Sequence, residues 1–145
     1  LVQEFIQAAE PSISRVELVG GKFVYAIRAD TARGGFQLCP ADACAIDPAT
    51  GTPIMPPGAS IAPDPDTQLF SLREGFDHPI ISRYEEFARR MNLEVCGIEF
   101  IEAADGRVLT YDVNTNTNYN AVVDAAAPVS APRQLARYLG GLAAE

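Results

Sequence analysis

Glu99, Asp112 and Asn114 are oxygen-bearing side chains gathered in one short stretch, GIEFIEAADGRVLTYDVN, running from Gly97 to Asn114. Asp105-Gly106 in its middle is a strong turn signal, because a two-residue type I′ turn needs φ > 0 at both central positions. With those residues as the turn, Glu99 lies directly across from Asp112, and Gly97 across from Asn114. The other face then sets Ile98 against Val113 and Phe100 against Tyr111, an apolar wall for a core. Like charges directly opposed in an antiparallel pair repel. The two acids are therefore fully solvated, or one holds a proton, or a cation sits between them. A hard divalent ion, Mg2+ above all, suits two carboxylates and an amide. From register alone, two acids on a solvated face stand as the competing reading. A third reading takes the opposed acids as the acid–nucleophile pair of a retaining glycosidase; against it, the chain has no tryptophan to stack a sugar.

The elements that must position these residues can be read in order. Residues 1–6, LVQEFI, form a short apolar run of strand character. ISRVELVGGKFVYAIR reads as two strands around Gly20-Gly21. With those glycines as the turn, Val16 faces Tyr25 and Leu18 faces Phe23, with Ile27 continuing an apolar face. Arg15, Glu17, Lys22 and Arg28 lie on the opposite face. There Arg15 and Arg28 become diagonal neighbours able to share one anion, unless the face is simply solvated with Glu17 offsetting part of the charge. Eight prolines follow residue 30 as far as and including Pro79, in a segment without periodicity. An irregular stretch this long in a compact domain usually serves a function. It is expected to wrap the sheet, with a single helical turn near Asp66–Leu72. Arg33-Gly34-Gly35 could approach an anion with backbone N–H groups but lacks the spacing of a phosphate-binding fingerprint.

Pro79 to Asn92 is an amphipathic helix, with Ile80, Ile81, Tyr84, Phe87, Ala88 and Met91 on one side and Arg83, Glu85, Glu86 and Arg89 on the other. His78, just before Pro79, suits a role at the helix start better than general-base chemistry. After Asn114 the run TNTNYN is an irregular loop whose side chains bond nearby backbone. Ser130 to Ala144 reads as a terminal helix with Ser130 as N-cap and Leu135, Leu139 and Leu142 on its buried face. The expected fold class is α+β: a mainly antiparallel sheet with two packed helices and a long irregular Pro-rich segment, as one domain over residues 1–145.

Glu99, followed after a hairpin by Asp112-x-Asn114, resembles the metal-binding end of the ATP-grasp enzymes, ATP-dependent carboxylate–amine ligases, and the glutamate-ligase-like branch in particular. The resemblance covers most of the chain in order: hinge, basic hairpin, helix, metal hairpin, Asn-rich loop. It implies that Glu99, Asp112 and Asn114 hold the magnesium ions bridging the ATP phosphates, though Asp112 stands where Glu is more usual. It implies that the backbone of Glu4, Phe5 and Ile6 reads the adenine edge. It also implies that Arg28, together with Arg15, meets the phosphates or an acyl-phosphate, and that Asn116 and Asn118 lie within reach of the phosphates. ATP and Mg2+ are the implied cofactors, and a small-molecule carboxylate and an amine the implied substrates. The family's glycine-rich phosphate-covering loop and a Lys that meets the phosphates lie before the hinge. The chain thus reads as the C-terminal lobe of a larger protein, expected to bind nucleotide poorly and not to turn over by itself. A non-catalytic metal- or nucleotide-binding or interaction module is the alternative that does without chemistry.

Composition bounds these readings. The 145 residues, 48% of them hydrophobic, suffice for one domain with a core and are too apolar for a disordered tail. The net charge of −8, with no basic block, argues against nucleic acid as a partner. No apolar run approaches the roughly 20 residues of a membrane span, and no signal-peptide pattern opens the chain. Cys39, Cys44 and Cys96 are an odd number, which favours reduced thiols and a cytoplasmic setting. With His78 they could supply one tetrahedral zinc, but their spacing is that of no familiar ribbon or finger, and structural thiols are the preferred reading. A lobe separated from its other half would expose the face between them, so self-association is expected.

Overall fold

The computed structural model describes residues 2, 4–34 and 69–144. Among these residues five strands form one antiparallel sheet: β1 (Ser12–Val19), β2 (Lys22–Asp30), β3 (Phe70–Leu72), β4 (Val95–Glu102) and β5 (Val108–Asn114). Their spatial order is β3-β2-β1-β4-β5. The helices are α1 (Thr31–Gly34), α2 (Ile80–Met91), α3 (Ala121–Ala126) and α4 (Ala131–Leu142). This is the α+β architecture that the sequence implies. β1 lies at the centre, paired to β2 on one side and β4 on the other, and seven of its eight residues are buried.

The two sheet faces differ in kind. On one, Val16, Leu18, Ala26, Cys96, Ile98 and Phe100 meet Ile80, Tyr84 and Ala88 of α2. Only these three helix residues are buried; Phe87 and Met91 of the longer predicted stripe stay exposed. The Tyr84 hydroxyl pairs with Thr110 Oγ1 at 2.7 Å and fixes α2 along β5. At the helix start, His78 Nδ1 accepts the Ile80 N–H at 3.0 Å, which satisfies one donor that Pro79 cannot reach. Asn92 ends the helix in the left-handed conformation, φ 52°. The second face carries two smaller apolar groups. Ile13, Ala29, Ile101 and Ala103 pack with Ile6 and Tyr111, and Tyr25 and Ile27 pack with Val123 of α3 and Ala131 of α4. Between these groups the face is charged.

Several expectations are corrected. The described residues of the first six form no strand; pairing begins at an isolated Ala8–Ala103 bridge, with Ala104 N–H donating to Gln7 O. Residues 70–72 are an edge strand on β2 instead of part of a helical turn, because Phe70 and Leu72 cover the apolar side of β2. The leucines of α4 do not form a buried face: Leu139 is 54% and Leu142 47% exposed, and the fully buried residue of that helix is Ala131. Ser130 is the N-cap as expected, accepting from the Arg133 N–H. Most of the Pro-rich segment, with Cys39 and Cys44, lies outside the described residues.

Gly20 and Gly21 take φ 61° and 67°, the signature of the expected I′ turn, and Leu18 pairs with Phe23. Beyond that point a β-bulge leaves Val24 without a partner and slips the register by one, so Glu17 faces Tyr25, Arg15 faces Ile27 and Ser14 faces Arg28. A one-residue slip moves every later side chain of β2 to the opposite face. Arg15 and Arg28 are therefore on opposite sides of the sheet and are not neighbours.

The other hairpin turns through a three-residue loop and not through a two-residue I′ turn. Ala103 N–H donates to Arg107 O and Gly106 N–H to Ala103 O, and Gly106 (φ 85°) is the loop's left-handed residue. That loop sets Phe100 against Thr110, and not against Tyr111. A bulge at Tyr111 then restores the expected pairing from Glu99 onward.

Candidate functional site

The charged part of the second face is built on β1, β4 and β5. Glu99 is paired with Asp112, Gly97 with Asn114, and Arg15 of the central strand with Glu99. Directly paired residues project to the same side, so the two carboxylates, the amide and the guanidinium share one surface. Glu99 is 7% exposed and Asp112 is exposed. Burial, above all, pushes the Glu99 carboxyl above its ordinary range; Tyr111 and Arg15 pull it down, and the charge of Asp112 pushes it further up. Among the described residues the buried Tyr111 hydroxyl makes no hydrogen bond of full geometry, although it lies close enough to Glu99 to lower its pKa.

Arg15 is the most engaged side chain of the site. Its Nε lies 2.8 Å from Glu17 Oε1, its Nη2 donates to Thr117 Oγ1, and its Nη1 is 3.8 Å from Glu99 Oε1. The Thr117 hydroxyl in turn donates to Glu17 Oε2 at 2.8 Å. Gly97 is the floor beneath this group: a Cβ there would stand 2.3 Å from Arg15 Nε and 2.8 Å from Cζ. The glycine opposite Asn114 thus makes room for a guanidinium.

Glu17 is fully buried, which no reading of a solvated strand face anticipates. Burial raises its pKa, against the lowering effect of Arg15 and Thr117. Among the described residues its Oε1 lacks a well-aligned hydrogen bond although Arg15 Nε is close, so that contact is an ion pair of imperfect geometry. Tyr25 and Tyr119 complete the surroundings, each with its phenol pKa raised by burial first and by the charge of Glu17 second.

The loop after β5 is held from both ends. Asn114 Oδ1 accepts the Asn116 N–H at 2.8 Å, and Asn120 Oδ1 accepts the N–H groups of Val122 and Val123 at the start of α3. Asn116 and Asn118 are exposed beside the carboxylate pair's strand. Between them Thr117 turns inward to Arg15 and Glu17.

The expected residues divide accordingly. Glu99, Asp112, Asn114 and Arg15 are brought together, with Asn116 on the adjoining loop. Arg28 is not: it stands on the α2 face, half-exposed, paired with Glu10. Of the N-terminal group, Ile6 packs against the cluster containing Tyr111, whereas Phe5 is 72% exposed. Glu4 is exposed as well. Glu17, Thr117 and Gly97 are the participants that the motif does not name.

Among the described residues no three His, Cys, Asp or Glu side chains converge as a metal cluster. Two opposed carboxylates and an amide are nonetheless an all-oxygen donor set, which fits a hard divalent cation. Asp112 is open to solvent, and Asn114 Oδ1 keeps a second lone pair beyond its bond to Asn116.

Neither a family model nor a curated protein matches this sequence. Among solved structures the chain is similar to the ATP-grasp ligase PsnB complexed with a minimal precursor, with a TM-score of 0.57 and 15% identity. The match covers 96% of this chain and 35% of that one, so the chain spans about a third of the length of the ligase. At that identity the likeness is one of fold, and it runs through nearly the whole chain: this protein has an ATP-grasp-like fold.

Proposed function

We propose that this chain is the metal- and nucleotide-binding lobe of a longer ATP-dependent ligase that joins a carboxylate to an amine through an acyl-phosphate. The observation that carries the reading is the direct cross-strand pairing of Glu99 with Asp112, with Asn114 two residues further along the same face. In such a reaction the substrate carboxylate attacks the γ-phosphorus of ATP, and the amine then displaces phosphate from the acyl carbon. Phosphoryl transfer depends on in-line positioning and charge neutralisation more than on a protein nucleophile. Bound Mg2+ would supply Lewis-acid polarisation and a template for the phosphate oxygens.

Glu99 and Asp112 supply the anionic ligands and Asn114 the neutral one. Arg15 is held on the same face by Glu17 and Thr117, and from there its positive charge offsets charge on the transferred group. The exposed Asn116 offers its side chain to phosphate oxygens from the adjoining loop. Glu4, Phe5 and Ile6 are assigned to the adenine edge through their backbone groups. Arg28 is given no part, since the sheet separates it from the carboxylate pair.

Calorimetry of Mg-ATP with the longer protein, unsubstituted and as Glu99→Gln and Asp112→Asn, tests the proposal. Metal-dependent affinity is expected to fall about 10- to 100-fold for each variant, with acyl-phosphate-dependent product formation lost in parallel. Unchanged metal-dependent binding in both variants would rule the ligase reading out.

A further inference from the structure

We propose that Glu17 is a positioning residue for Arg15: together with Thr117 it draws the guanidinium away from Glu99, so that Glu99 stays available to a divalent cation. The inference rests on the metal-holding role given to Glu99 above.

Arg15 and Glu99 are direct cross-strand partners on adjacent strands. Left to themselves, an arginine and a glutamate so placed close into a two-bond, fork-to-fork ion pair. They do not do so here. The nearest approach is 3.8 Å, from Nη1 to Oε1, beyond hydrogen-bonding reach. The guanidinium is turned along its own strand, with Nε 2.8 Å from Glu17 and Nη2 bonded to Thr117. Thr117 closes the triangle by donating to Glu17 Oε2, and the bare backbone of Gly97 lets the guanidinium occupy that position.

A carboxylate with no exposure at all is costly to keep in a fold, and a buried ion pair is weak evidence of a stabilising role. Its geometric consequence is specific. Among the described residues an Arg15 released from Glu17 has Glu99, 3.8 Å away, as its remaining ion-pair partner, and a guanidinium on Glu99 competes directly with a cation for the same oxygens. Thr117 sits on the loop that follows Asn114 and extends the effect: the segment carrying one metal-facing amide also fixes the arginine that must be kept aside.

The test measures Mn2+ binding alone, without nucleotide, by the electron paramagnetic resonance signal of the free ion, with circular dichroism to confirm folding. In the full-length protein Glu17→Gln is expected to weaken Mn2+ binding about tenfold, and Thr117→Val, which leaves the Glu17 charge in place, by a smaller factor. Adding Arg15→Gln to Glu17→Gln removes the competitor and is expected to restore affinity to near that of the unsubstituted protein. A purely structural role for Glu17 predicts no such rescue. Unchanged affinity in Glu17→Gln and Thr117→Val, or a loss that Arg15→Gln does not reverse, would overturn the positioning role while leaving the metal site standing. Absence of any Mn2+ binding that Glu99→Gln abolishes would overturn the metal-holding reading itself.

Discussion

The smallest features carry the most specific consequences. Gly97 has an ordinary backbone conformation, so its requirement for glycine comes entirely from the guanidinium lying on it. Gly97→Ala would force Arg15 out of its contacts with Glu17 and Thr117, and an expected cost of about 1–3 kcal/mol follows from the displaced, half-broken buried pair. Gly106→Ala is the informative contrast. Its Cβ would meet open space, but φ 85° strains any L side chain, for an expected cost of about 1–2 kcal/mol. Urea denaturation measures both. The distinction lies in a second substitution: with Arg15→Ala as background, the cost of Gly97→Ala should largely vanish and that of Gly106→Ala should not. A Gly97→Ala penalty that persists without Arg15 would mean that the glycine serves something else.

At the scale of elements, the two hairpins show what hydrophobic pattern and turn residues reveal and what they hide. Gly20-Gly21 announces its turn, but the bulge at Val24 lies inside Phe23-Val24-Tyr25, where three apolar residues in a row break the period of two. That break was the available signal, and ignoring it puts Arg28 beside Arg15. In the β4–β5 hairpin, a loop one residue longer than Asp105-Gly106 implies and a bulge at Tyr111 shift the register in opposite senses. Their cancellation leaves Glu99 opposite Asp112, so the pair is legible although the path to it is not. Glu17 was not legible at all, because what buries it arrives with Thr117 and Tyr119, about a hundred residues later in the chain. Glu85 of α2 shows a link of the same long range. It accepts the Phe23 N–H and the Lys22 ammonium, each at 3.0 Å, and so ties the helix to the first hairpin. The Phe23 N–H, with Lys22 adding to it, holds the Glu85 carboxyl below its usual range. A carboxyl with a depressed folded-state pKa contributes stability that is complete above its unfolded value of about 4.3 and is lost as pH falls through the folded value. Glu85→Gln should therefore lower stability at pH 7, by at most about 1 kcal/mol after solvent screening. The difference from the unsubstituted protein should shrink below about pH 4. Urea midpoints at pH 7 and pH 3 check it; a gap that is constant with pH would mean that the charge of Glu85 plays no part.

For the molecule as a whole, the two faces of the sheet are finished to different degrees. The α2 face closes over Phe100, Ile98 and Leu18, all fully buried, and Phe100→Ala there should cost about 3–5 kcal/mol. The far end of α4 is unlike this. Leu139 and Leu142 lie on the helix three apart, both about half exposed, so each contributes little to the stability of the chain, and Leu139→Ser should change it by no more than about 0.5 kcal/mol. Apolar side chains grouped on one helix are costly to leave in water and cost least when a second apolar surface covers them. For the 145 residues in isolation, the surface always at hand is the same helix on another copy. Light scattering across a range of concentrations should therefore give a mass that rises above 15.5 kDa, and Leu139→Ser combined with Leu142→Ser should return it to the monomer value with the urea midpoint unmoved. A constant monomer mass before substitution would show that these leucines are solvated singly, as exposed apolar residues on many folded proteins are.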